Sequence, residues 1–576
     1  MFLVAITKDE ISQNFKNVQI EELKIHPFFI TVVTDNVLSK YSHNEDGFSI
    51  IESPYFSSSE IGNIIFSQGT YRQQDRSFTI SRFTMSGRPI FYTNNTRGDF
   101  YCSTHISLLR TAGVSIEEDK KVLPEFFIYR HIMPPKTLYK NIKRLLMGEQ
   151  LLIRLENNKC VIHSINHYIP PRENQQITSI TEGAAELYKY LSETLKNLEP
   201  AKDETTLLLS GGMDSSTICT IYKKIFGHDT SYSTGYPFEK PALNAEKRYA
   251  LSAAQALEMN HSYYEPSSQE FLTGVIEAIF HAEEPVHHLQ SVLLHLLWKN
   301  EIPREQRIIL CAQGAGSTFG YNELFYLNEK RKKLLYRLLV TNTSLSLLKM
   351  ISKMVGQGKG LVDTMERLHR DYPLNHSKNP IWSWMDFGSW NWVRTYFNLT
   401  EDQIIRERYE FIKEFASMSM YDIWSRYSLY GDEDVTLAIW SKIGEGNKKI
   451  IYFPYYDLDV LNYAFSIPWQ LKLKGYRVLT KEIARQGKLP KFIINRPKLG
   501  FSVNSLEWVK RGGIFEPLVS IASKVFDESE IPQMQTSSDS RKVQTFWNML
   551  NYSIWKRLHI NNEPLDALLE ELNITI

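Results

Sequence analysis

The sequence predicts two domains of different architecture, a layered antiparallel α+β domain followed by an α/β domain built on a parallel sheet. At 576 residues the chain is too long for one ordinary domain. Short β-rich runs fill its first part, and strands alternate with helices in its second part. A polar segment with two prolines, residues 169–176, separates the two patterns. We therefore place the domains at residues 1–171 and 177–576.

The first domain is predicted from β-rich runs that turn residues interrupt. Polar residues follow the apolar run Met1–Ile6 at once, so we interpret this run as a first strand and not as a signal peptide. Further predicted strands are Phe28–Val33, Ser77–Ile80, Ile90–Tyr92 and Leu151–Arg154. Runs of this length are typical of antiparallel sheets packed in layers.

The second domain is predicted from strands that alternate with helices. The order is a helix, a buried strand, a helix and a second strand, at Ala184–Leu198, Thr206–Leu209, Thr217–Phe226 and Thr230–Thr234. From about Lys330 onward, long apolar-periodic segments predict further helices.

Composition excludes several functional classes. The formal net charge of +1 gives no general attraction to nucleic acid or to an anionic membrane. No apolar run is long enough to cross a bilayer. The four cysteines lie far apart without CxxC spacing, so we expect buried thiols and neither disulfides nor a zinc site. A cytoplasmic protein is the resulting expectation.

A glycine-containing loop joins the strand Thr206–Leu209 to the following helix. Its sequence is Ser210-Gly211-Gly212-Met213-Asp214-Ser215-Ser216. The two glycines let the backbone approach phosphate oxygens, and the helix start offers unpaired N–H groups. The serine hydroxyls add donors, and Asp214 can hold Mg²⁺ on the phosphates. A lone glycine pair would favour an ordinary turn before a helix, but the whole string predicts nucleotide binding.

This string resembles the SGGxDS signature of ATP pyrophosphatases, and other landmarks resemble the glutamine-dependent asparagine synthetase family in unbroken order. These landmarks are Arg88–Tyr92, Phe100–Thr104, Thr137–Ile142, Met147–Glu149, Glu283–Pro285, Phe453–Asp457 and Arg496–Phe501. The resemblance implies an Ntn-type, amidotransferase-like sandwich followed by an ATP-pyrophosphatase domain of the adenine nucleotide α-hydrolase-like class. It also implies ATP and Mg²⁺ as cofactors, with adenine near Leu208 and Thr234.

One departure from the family concerns glutamine. The family's nucleophilic cysteine directly follows the initiator methionine, whereas this chain has Phe2 there. A thiolate at that position is required for attack on the glutamine amide. We therefore expect no glutamine hydrolysis. Relatives that lack the cysteine, the β-lactam synthetases and lasso-peptide cyclases, adenylate a carboxylate that an amine of the substrate then attacks.

Other departures concern the synthetase site. The family's GEGxDE loop, which binds magnesium pyrophosphate, corresponds to residues 312–317, where Gly314 is retained but Gly316 and Ser317 replace the two acids. Asp214 alone could suffice, or Glu283 and Glu284 could compensate. Ile450 and Tyr452 stand where the family has a catalytic glutamate and an arginine. Candidate replacements for the base are Tyr421, Tyr452 and Glu445.

The cationic end of the site is retained. Lys498 matches the family's lysine that meets charge on the departing pyrophosphate, and Arg477 falls where the family has a second lysine. An ordinary surface ion pair is the alternative for each of these two residues.

The leading hypothesis is an AMP- and pyrophosphate-forming ligase that adenylates a small-molecule or peptide carboxylate. The amine would be ammonia, a substrate amine or a peptide amine, as in a lasso-peptide-type cyclase. Candidate partners are a precursor peptide and a second copy of the chain as a homodimer. One rival is a catalytically impaired paralogue that binds nucleotide or a partner. Sulfur or nitrogen insertion into a nucleotide or nucleic acid is a third use of the same loop.

Overall fold

The computed structural model describes most of the chain. The described residues are 1–16, 18–35, 38–54, 65–84, 87–166, 168–237, 245–319, 342–355, 387–400, 403–404, 406, 408, 425–475, 477–496, 508, 511–526 and 539–572. Both predicted architectures are present in this part of the chain.

The N-terminal half consists of two six-stranded sheets in which every paired strand is antiparallel. Their strand orders are β10-β8-β9-β1-β3-β2 and β12-β11-β7-β6-β5-β4. The strands are β1 Phe2–Thr7, β2 Gln19–Ile25, β3 Phe28–Thr34, β4 Ser39–Asn44, β5 Gly47–Glu52, β6 Ser67–Arg72, β7 Ser77–Arg82, β8 Phe91–Asn94, β9 Phe100–Ser103, β10 Lys143–Arg144, β11 Gln150–Glu156 and β12 Lys159–Asn166. Two helices accompany them, α1 Ile106–Thr111 and α2 Leu123–Tyr129.

Strand β1 shows why its sequence is apolar at every position. Phe2 and Val4 point into the core between the two sheets. Leu3 and Ala5 point to the opposite face, into a second apolar cluster that also contains residues of the C-terminal half. Because side chains alternate across a strand, a strand buried on both faces reads as one continuous apolar run.

The C-terminal half is built on a five-stranded parallel sheet of order β15-β14-β13-β16-β17. The strands are β13 Thr205–Leu208, β14 Thr230–Thr234, β15 Asn260–Tyr264, β16 Ile308–Leu310 and β17 Ile450–Tyr452. The helices of this half are α3 Ile180–Lys196, α4 Met213–Phe226, α5 Ala245–Ala256, α6 Ser268–Ala282, α7 Gln290–Asn300, α8 Ala315–Phe319, α9 Asn342–Val355, α10 Trp390–Phe397, α11 Asp434–Gly446, α12 Leu458–Ser466, α13 Trp469–Lys472, α14 Val478–Gln486, α15 Lys491–Ile494, α16 Val519–Ser523, α17 Ser540–Trp555 and α18 Leu565–Glu571. A π-helical turn, Leu429–Glu433, runs directly into α11, and another, Lys556–Ile560, follows α17.

Helix boundaries differ from the predicted ones for local reasons. Helix α3 begins at Ile180, four residues before the predicted start, because Ser179 caps it by accepting a hydrogen bond from the Glu182 amide. Helix α4 begins at Met213 and not at Thr217, because the glycine-containing loop itself forms the first helical turn after Gly212. No helix or strand occupies the described residues 168–179, where the linker is predicted.

Buried ion pairs join the two halves. Arg82, with no exposed side-chain surface, pairs with the equally buried Asp434 of α11 at 2.6 Å. Similar links between the halves are Arg88–Glu445 at 3.0 Å, Arg144–Glu284 at 3.0 Å and Arg408–Glu125 at 2.9 Å. An apolar cluster with members from both halves accompanies these pairs. The interface therefore resembles the interior of one protein more than a surface contact.

The four cysteines are buried free thiols, as predicted. Burial raises the pKa of Cys160, Cys219 and Cys311 to about 12. Among the described residues, none of the helices combines the length and the hydropathy of a membrane span.

Candidate functional site

The order of the parallel strands defines where a ligand would enter. Strands β13 and β16 are neighbours in the middle of the sheet, and the chain winds outward from them in opposite directions. In sheets of this kind, ligands bind beyond the carboxyl ends of the strands at this switch point. The loop 210–216 follows β13, and the loop 311–314 follows β16 and leads into α8. The two predicted nucleotide loops therefore lie side by side at one edge of the sheet.

The glycines of the first loop have different roles. Gly211 has a φ of +74°, and a Cβ placed on it would lie 2.4 Å from the carbonyl oxygen of Tyr249. Only glycine fits this position without moving the backbone. Gly212 has an ordinary φ of −83° and precedes the first turn of α4. A Cβ there would make only ordinary van der Waals contacts, the nearest with Ser210 Oγ at 3.4 Å, so alanine fits without overlap.

The serines hold the loop together. The Ser215 hydroxyl lies 3.0 Å from the Ser210 hydroxyl and donates to the carbonyl of Gly212 at 3.2 Å. The Gly212 amide donates in turn to Ser210 Oγ at 3.3 Å. Ser216 is fully buried, and its hydroxyl has no hydrogen-bond partner in the described part of the protein. The Met213 side chain is buried in the core, so only its backbone could contact a nucleotide.

Asp214 forms an ion pair with Arg477. Arg477 Nη2 donates to Asp214 Oδ2 at 2.6 Å, and the two side chains are 10% and 25% exposed. Arg477 precedes α14 in the left-handed conformation, with a φ of 50°. A residue other than glycine held in this region indicates strain that the surrounding structure imposes. The structure thus places the predicted cation directly against the predicted magnesium ligand.

A second arginine, Arg496, lies against the first loop, and the sequence alone had suggested no role for it. Arg496 Nη1 donates to the Ser210 carbonyl at 2.7 Å, and Nη2 pairs with Glu246 at 2.5 Å. Its guanidinium also stacks over the Tyr249 ring, 4.4 Å from the centroid. Arg496 is the first residue of the matching hexapeptide, so that motif could have indicated it. Lys498, two residues further on, lies outside the described residues, as does Tyr421.

The remaining predicted nucleotide contacts lie along the same edge of the sheet. Leu208 and Thr234 end the neighbouring parallel strands β13 and β14. Gly314 has a φ of +108°, and a Cβ there would lie 2.5 Å from the ring of Tyr456. Ser317 is fully buried and donates to the Gly314 carbonyl at 2.8 Å. The loop is therefore closed by hydrogen bonds where the family has acids.

A buried glutamate reaches this second loop from a distant part of the chain. Glu433 Oε2 accepts a hydrogen bond from Gln313 Nε2 at 2.8 Å and another from the Tyr456 hydroxyl at 2.9 Å. Glu433 is 6% exposed and ends the π-helical turn before α11. No sequence motif indicated it, because 120 residues separate it from Gln313. It is a carboxylate at the loop that lacks the family's acids.

The acids expected to compensate are engaged elsewhere. Glu283 accepts from the amides of Ile106 and Ser107 at 2.9 Å and pairs with Lys442 at 2.8 Å. Glu284 pairs with Arg144 of the N-terminal half. These contacts hold both glutamates at the interface between the halves, so the expectation that they serve the 312–317 loop is wrong.

Of the candidate bases that the structure describes, Glu445 is engaged elsewhere, whereas Tyr452 lies next to the second loop, where its carbonyl accepts from the Cys311 amide at 2.9 Å. Glu445 pairs with Arg88 of the N-terminal half at 3.0 Å, which assigns it to the interface as well. Ile450 is 7% exposed and begins β17, and Tyr452 ends that strand fully buried.

Phe2 fills the position of the family's nucleophile. Its side chain is 1% exposed and packs in the core between the two sheets of the N-terminal half. Its amide donates to Thr104 Oγ1 at 3.1 Å, and its carbonyl accepts from the Ser103 hydroxyl at 2.8 Å. A reactive group therefore does not replace the cysteine here.

Comparison with known proteins gives the family. A family model described as asparagine synthase matches residues 186–557, which is more than half of the chain. The chain belongs to the asparagine synthase family. A second model, described as a glutamine amidotransferase domain, matches residues 60–165. This family member therefore has the amidotransferase-like first half and the synthase second half that the sequence predicted.

Named relatives agree with this assignment. Asparagine synthetase (glutamine-hydrolyzing) 1 of Bacillus subtilis (strain 168) is 23% identical over 506 residues, which cover 82% of this chain and 74% of that protein. Proteins of Mycobacterium tuberculosis (strain ATCC 25618 / H37Rv) and Mycobacterium bovis, provisionally named asparagine synthetase (glutamine-hydrolyzing), are 23% identical over 512 residues. These cover 84% of this chain and 74% of each relative. At the level of the family, this asparagine synthase member is an ATP-dependent, amide-forming ligase.

Proposed function

We propose that this protein uses ATP to adenylate a carboxylate and joins the product to an amine that its own N-terminal half does not take from glutamine. The observation that supports this most is the pair of loops at the switch point of the sheet. The first loop carries Asp214, and two arginines, Arg477 and Arg496, contact this loop. The buried Phe2 supports the absence of glutamine hydrolysis, because a phenylalanine at this position supplies no thiolate to attack the glutamine amide.

In the first step, a carboxylate oxygen of the substrate attacks the α-phosphorus of ATP. The bond from the α-phosphorus to the bridging oxygen breaks, and pyrophosphate leaves. The backbone of Gly211 and Gly212 and the first turn of α4 would bind the phosphates. Mg²⁺ on Asp214 would neutralise part of the phosphate charge when it is bound. Arg477 would then turn from Asp214 to the departing pyrophosphate, together with Lys498.

In the second step, the amine attacks the acyl carbon, and AMP leaves with the oxygen that joined it to the acyl group. The amine must lose a proton. We propose that the Glu433 carboxylate, which the Tyr456 hydroxyl holds by a hydrogen bond, accepts it. Geometry supports this choice, because this carboxylate is hydrogen-bonded to the 312–317 loop through Gln313. The amine would be ammonia, an amine of the same substrate or a peptide amine, and the cytoplasm would be the location.

An ATP–pyrophosphate exchange assay tests the first step. It is run with single amino acids and with candidate precursor peptides as carboxylate donors. Exchange with at least one donor, abolished by Asp214→Asn, is the expected result. Exchange that survives Asp214→Asn would contradict the site assignment.

Glu433→Gln separates the two steps. We expect this variant to retain ATP–pyrophosphate exchange and to lose amide formation by about 100-fold or more, a typical contribution of a general base. Glu125→Gln is the matched control, because it also changes a buried glutamate, but one that pairs with Arg408 and Lys136 and not with Gln313. Amide formation at the wild-type rate by Glu433→Gln would rule out Glu433 as the base.

The second candidate function is nucleotide binding without bond formation. The Asp214–Arg477 ion pair favours it, because the pair neutralises both groups that the reaction needs. Ile450 and Ser317, in place of the family's catalytic glutamate and an acid of its loop, favour it as well. Measurable ATP binding with no exchange for any carboxylate would support this second candidate over the first.

A further inference from the structure

A cluster of histidines surrounds one carboxylate at the boundary between the halves, one residue before Glu433. Asp432 lies in the π-helical turn before α11, and His287 and His288 lie between α6 and α7. Each of the three residues can offer one ligand atom, and these atoms all lie within 4.8 Å of one another. Within the described part of the chain, no other group of three histidine, cysteine or acidic residues meets this condition.

The distances are too long for hydrogen bonds. Asp432 Oδ1 lies 3.7 Å from His287 Nε2 and 3.8 Å from His288 Nε2. A hydrogen bond between such atoms would be about 2.7 to 3.2 Å long. Ligand atoms on a tetrahedral zinc ion with bonds of about 2.1 Å lie about 3.4 Å apart. The 3.8 Å between Asp432 Oδ1 and His288 Nε2 is thus a few tenths of an ångström wider than an ion needs.

Two buried atoms of the cluster lack partners. Asp432 Oδ1 and His287 Nδ1 are inaccessible to solvent, and neither has a hydrogen-bond partner among the described residues. The whole His287 residue is 2% exposed. A buried acceptor without a partner is costly, and a bound cation would remove that cost.

The surrounding hydrogen bonds define which nitrogen atoms have a lone pair available for a metal ion. Thr436 donates its hydroxyl proton to the Asp432 carbonyl at 2.6 Å, so its oxygen accepts from His287 Nε2 at 3.0 Å. His287 Nδ1 then keeps its lone pair. Arg408 Nη2 donates to His131 Nε2 at 2.8 Å, so the proton of His131 is on Nδ1, which faces Asp432 Oδ1 at 3.9 Å. His131 therefore has no lone pair left for a metal ion and is not a ligand.

One cation already lies near the carboxylate. Arg130 Nη2 is 3.9 Å from Asp432 Oδ1, and its guanidinium stacks on the Phe387 ring at 3.4 Å from the centroid. This stacking holds the guanidinium just outside hydrogen-bond distance. Arg130 is consequently the competing explanation for the cluster, with the arginine alone balancing the carboxylate charge.

We propose that His287, His288 and Asp432 bind one divalent transition-metal ion, and we assign zinc, which accepts a set of two imidazoles and one carboxylate. The ion fixes the π-helical turn to the segment between α6 and α7. Glu433 is the residue after Asp432, so the ion also fixes the position of the carboxylate at the 312–317 loop. This site is independent of nucleotide, because none of its ligands belongs to either loop.

Metal analysis of the full-length protein tests the proposal. The protein is produced with zinc in the medium, passed through gel filtration in chelator-free buffer and analysed by elemental mass spectrometry. We expect about one zinc per chain, and at least about tenfold less in His288→Ala and in Asp432→Asn. His228→Gln is the matched control for loss of a partly buried histidine elsewhere in the C-terminal half, and it should retain the metal.

A cobalt titration keeps the test decisive if a variant fails to fold. Chelator-treated wild-type protein is titrated with Co²⁺, and a visible absorption band of a tetrahedral nitrogen and oxygen site, saturating at about one equivalent, is expected. Wild-type protein that holds no zinc after gel filtration and shows no such band would overturn the proposal in favour of Arg130 alone. Asp214→Asn should keep its zinc, so failure of the proposed ligase function would leave this result unaffected.

Discussion

The two glycines of the first loop allow a test that separates a structural role from a ligand-binding role. Alanine is introduced at each position in turn. At Gly211 the new Cβ would need a φ of +74° and would lie 2.4 Å from the Tyr249 carbonyl oxygen. The conformation costs about 1 to 2 kcal/mol, and the overlap about 1 to 3 kcal/mol more. Gly211→Ala should therefore lower the free energy of unfolding by about 2 to 5 kcal/mol.

At Gly212 the backbone already has a φ that alanine adopts, and the nearest atom to the new Cβ is Ser210 Oγ at 3.4 Å. Stability should not fall. ATP binding should fall, because the methyl group occupies the space through which a phosphate reaches the first turn of α4. Loss of one hydrogen bond to a charged phosphate costs about 1.5 to 3 kcal/mol, which weakens the Kd about 10- to 150-fold.

Gly227→Ala is the matched control. Gly227 has a φ of +71°, but a Cβ there meets nothing within 4 Å. This variant should lose about 1 to 2 kcal/mol of stability and bind ATP as wild type does. Urea unfolding and isothermal titration with Mg·ATP measure the two quantities for all three variants. Unchanged ATP affinity in Gly212→Ala would refute the assignment of this loop as the phosphate site.

Two further predictions concern the interface between the halves. Arg82→Met should lower the free energy of unfolding by about 3 to 5 kcal/mol in urea, because it leaves the buried Asp434 carboxylate without its cation. Arg97→Met is the control: it breaks a largely exposed ion pair and should leave the urea midpoint unchanged. Burial alone would raise the pKa of Glu125, but Lys136 and a neighbouring arginine outweigh it and lower the pKa to about 2. Because the folded pKa lies below the unfolded value near 4.5, Glu125 stabilises the protein above that value and loses its contribution, about 3 kcal/mol, as the pH falls toward 2. Glu125→Gln should therefore flatten the decline in stability between pH 4.5 and pH 2, and a variant that declines as steeply as wild type would contradict this reasoning.

The sequence predicted the fold well where the residues that determine an element are close together in the chain. The strand, glycine loop and helix at residues 205–226 follow one another within a short stretch, so pattern and motif identify them together. The strand lies one residue earlier than predicted. The start of α4 was misplaced by four residues, because a signature interpreted as a loop also supplies the first turn of a helix. Arg496 could have been assigned from its hexapeptide, since arginine is the first residue of the matched pattern.

Long-range contacts could not be predicted in this way. Gln313 meets Glu433 only because the π-helical turn before α11 packs against the loop after β16, and no spacing in the chain encodes that approach. Glu283 and Glu284 show the converse, because their acidic character suggested a role at the nucleotide. The cations that engage them, Lys442 and Arg144, belong to distant parts of the chain. The charge of a residue is visible in the sequence, but its partner is not.

The ion pairs across the interface have a consequence for truncation of the chain. A fragment of residues 177–576 would keep Asp434 and Glu284 but would lose Arg82 and Arg144, the cations that neutralise them. Each uncompensated buried carboxylate costs several kcal/mol, and a folded protein has only about 5 to 15 kcal/mol in total. The N-terminal half therefore stabilises the half that carries the two loops, even though Phe2 leaves it without a nucleophile.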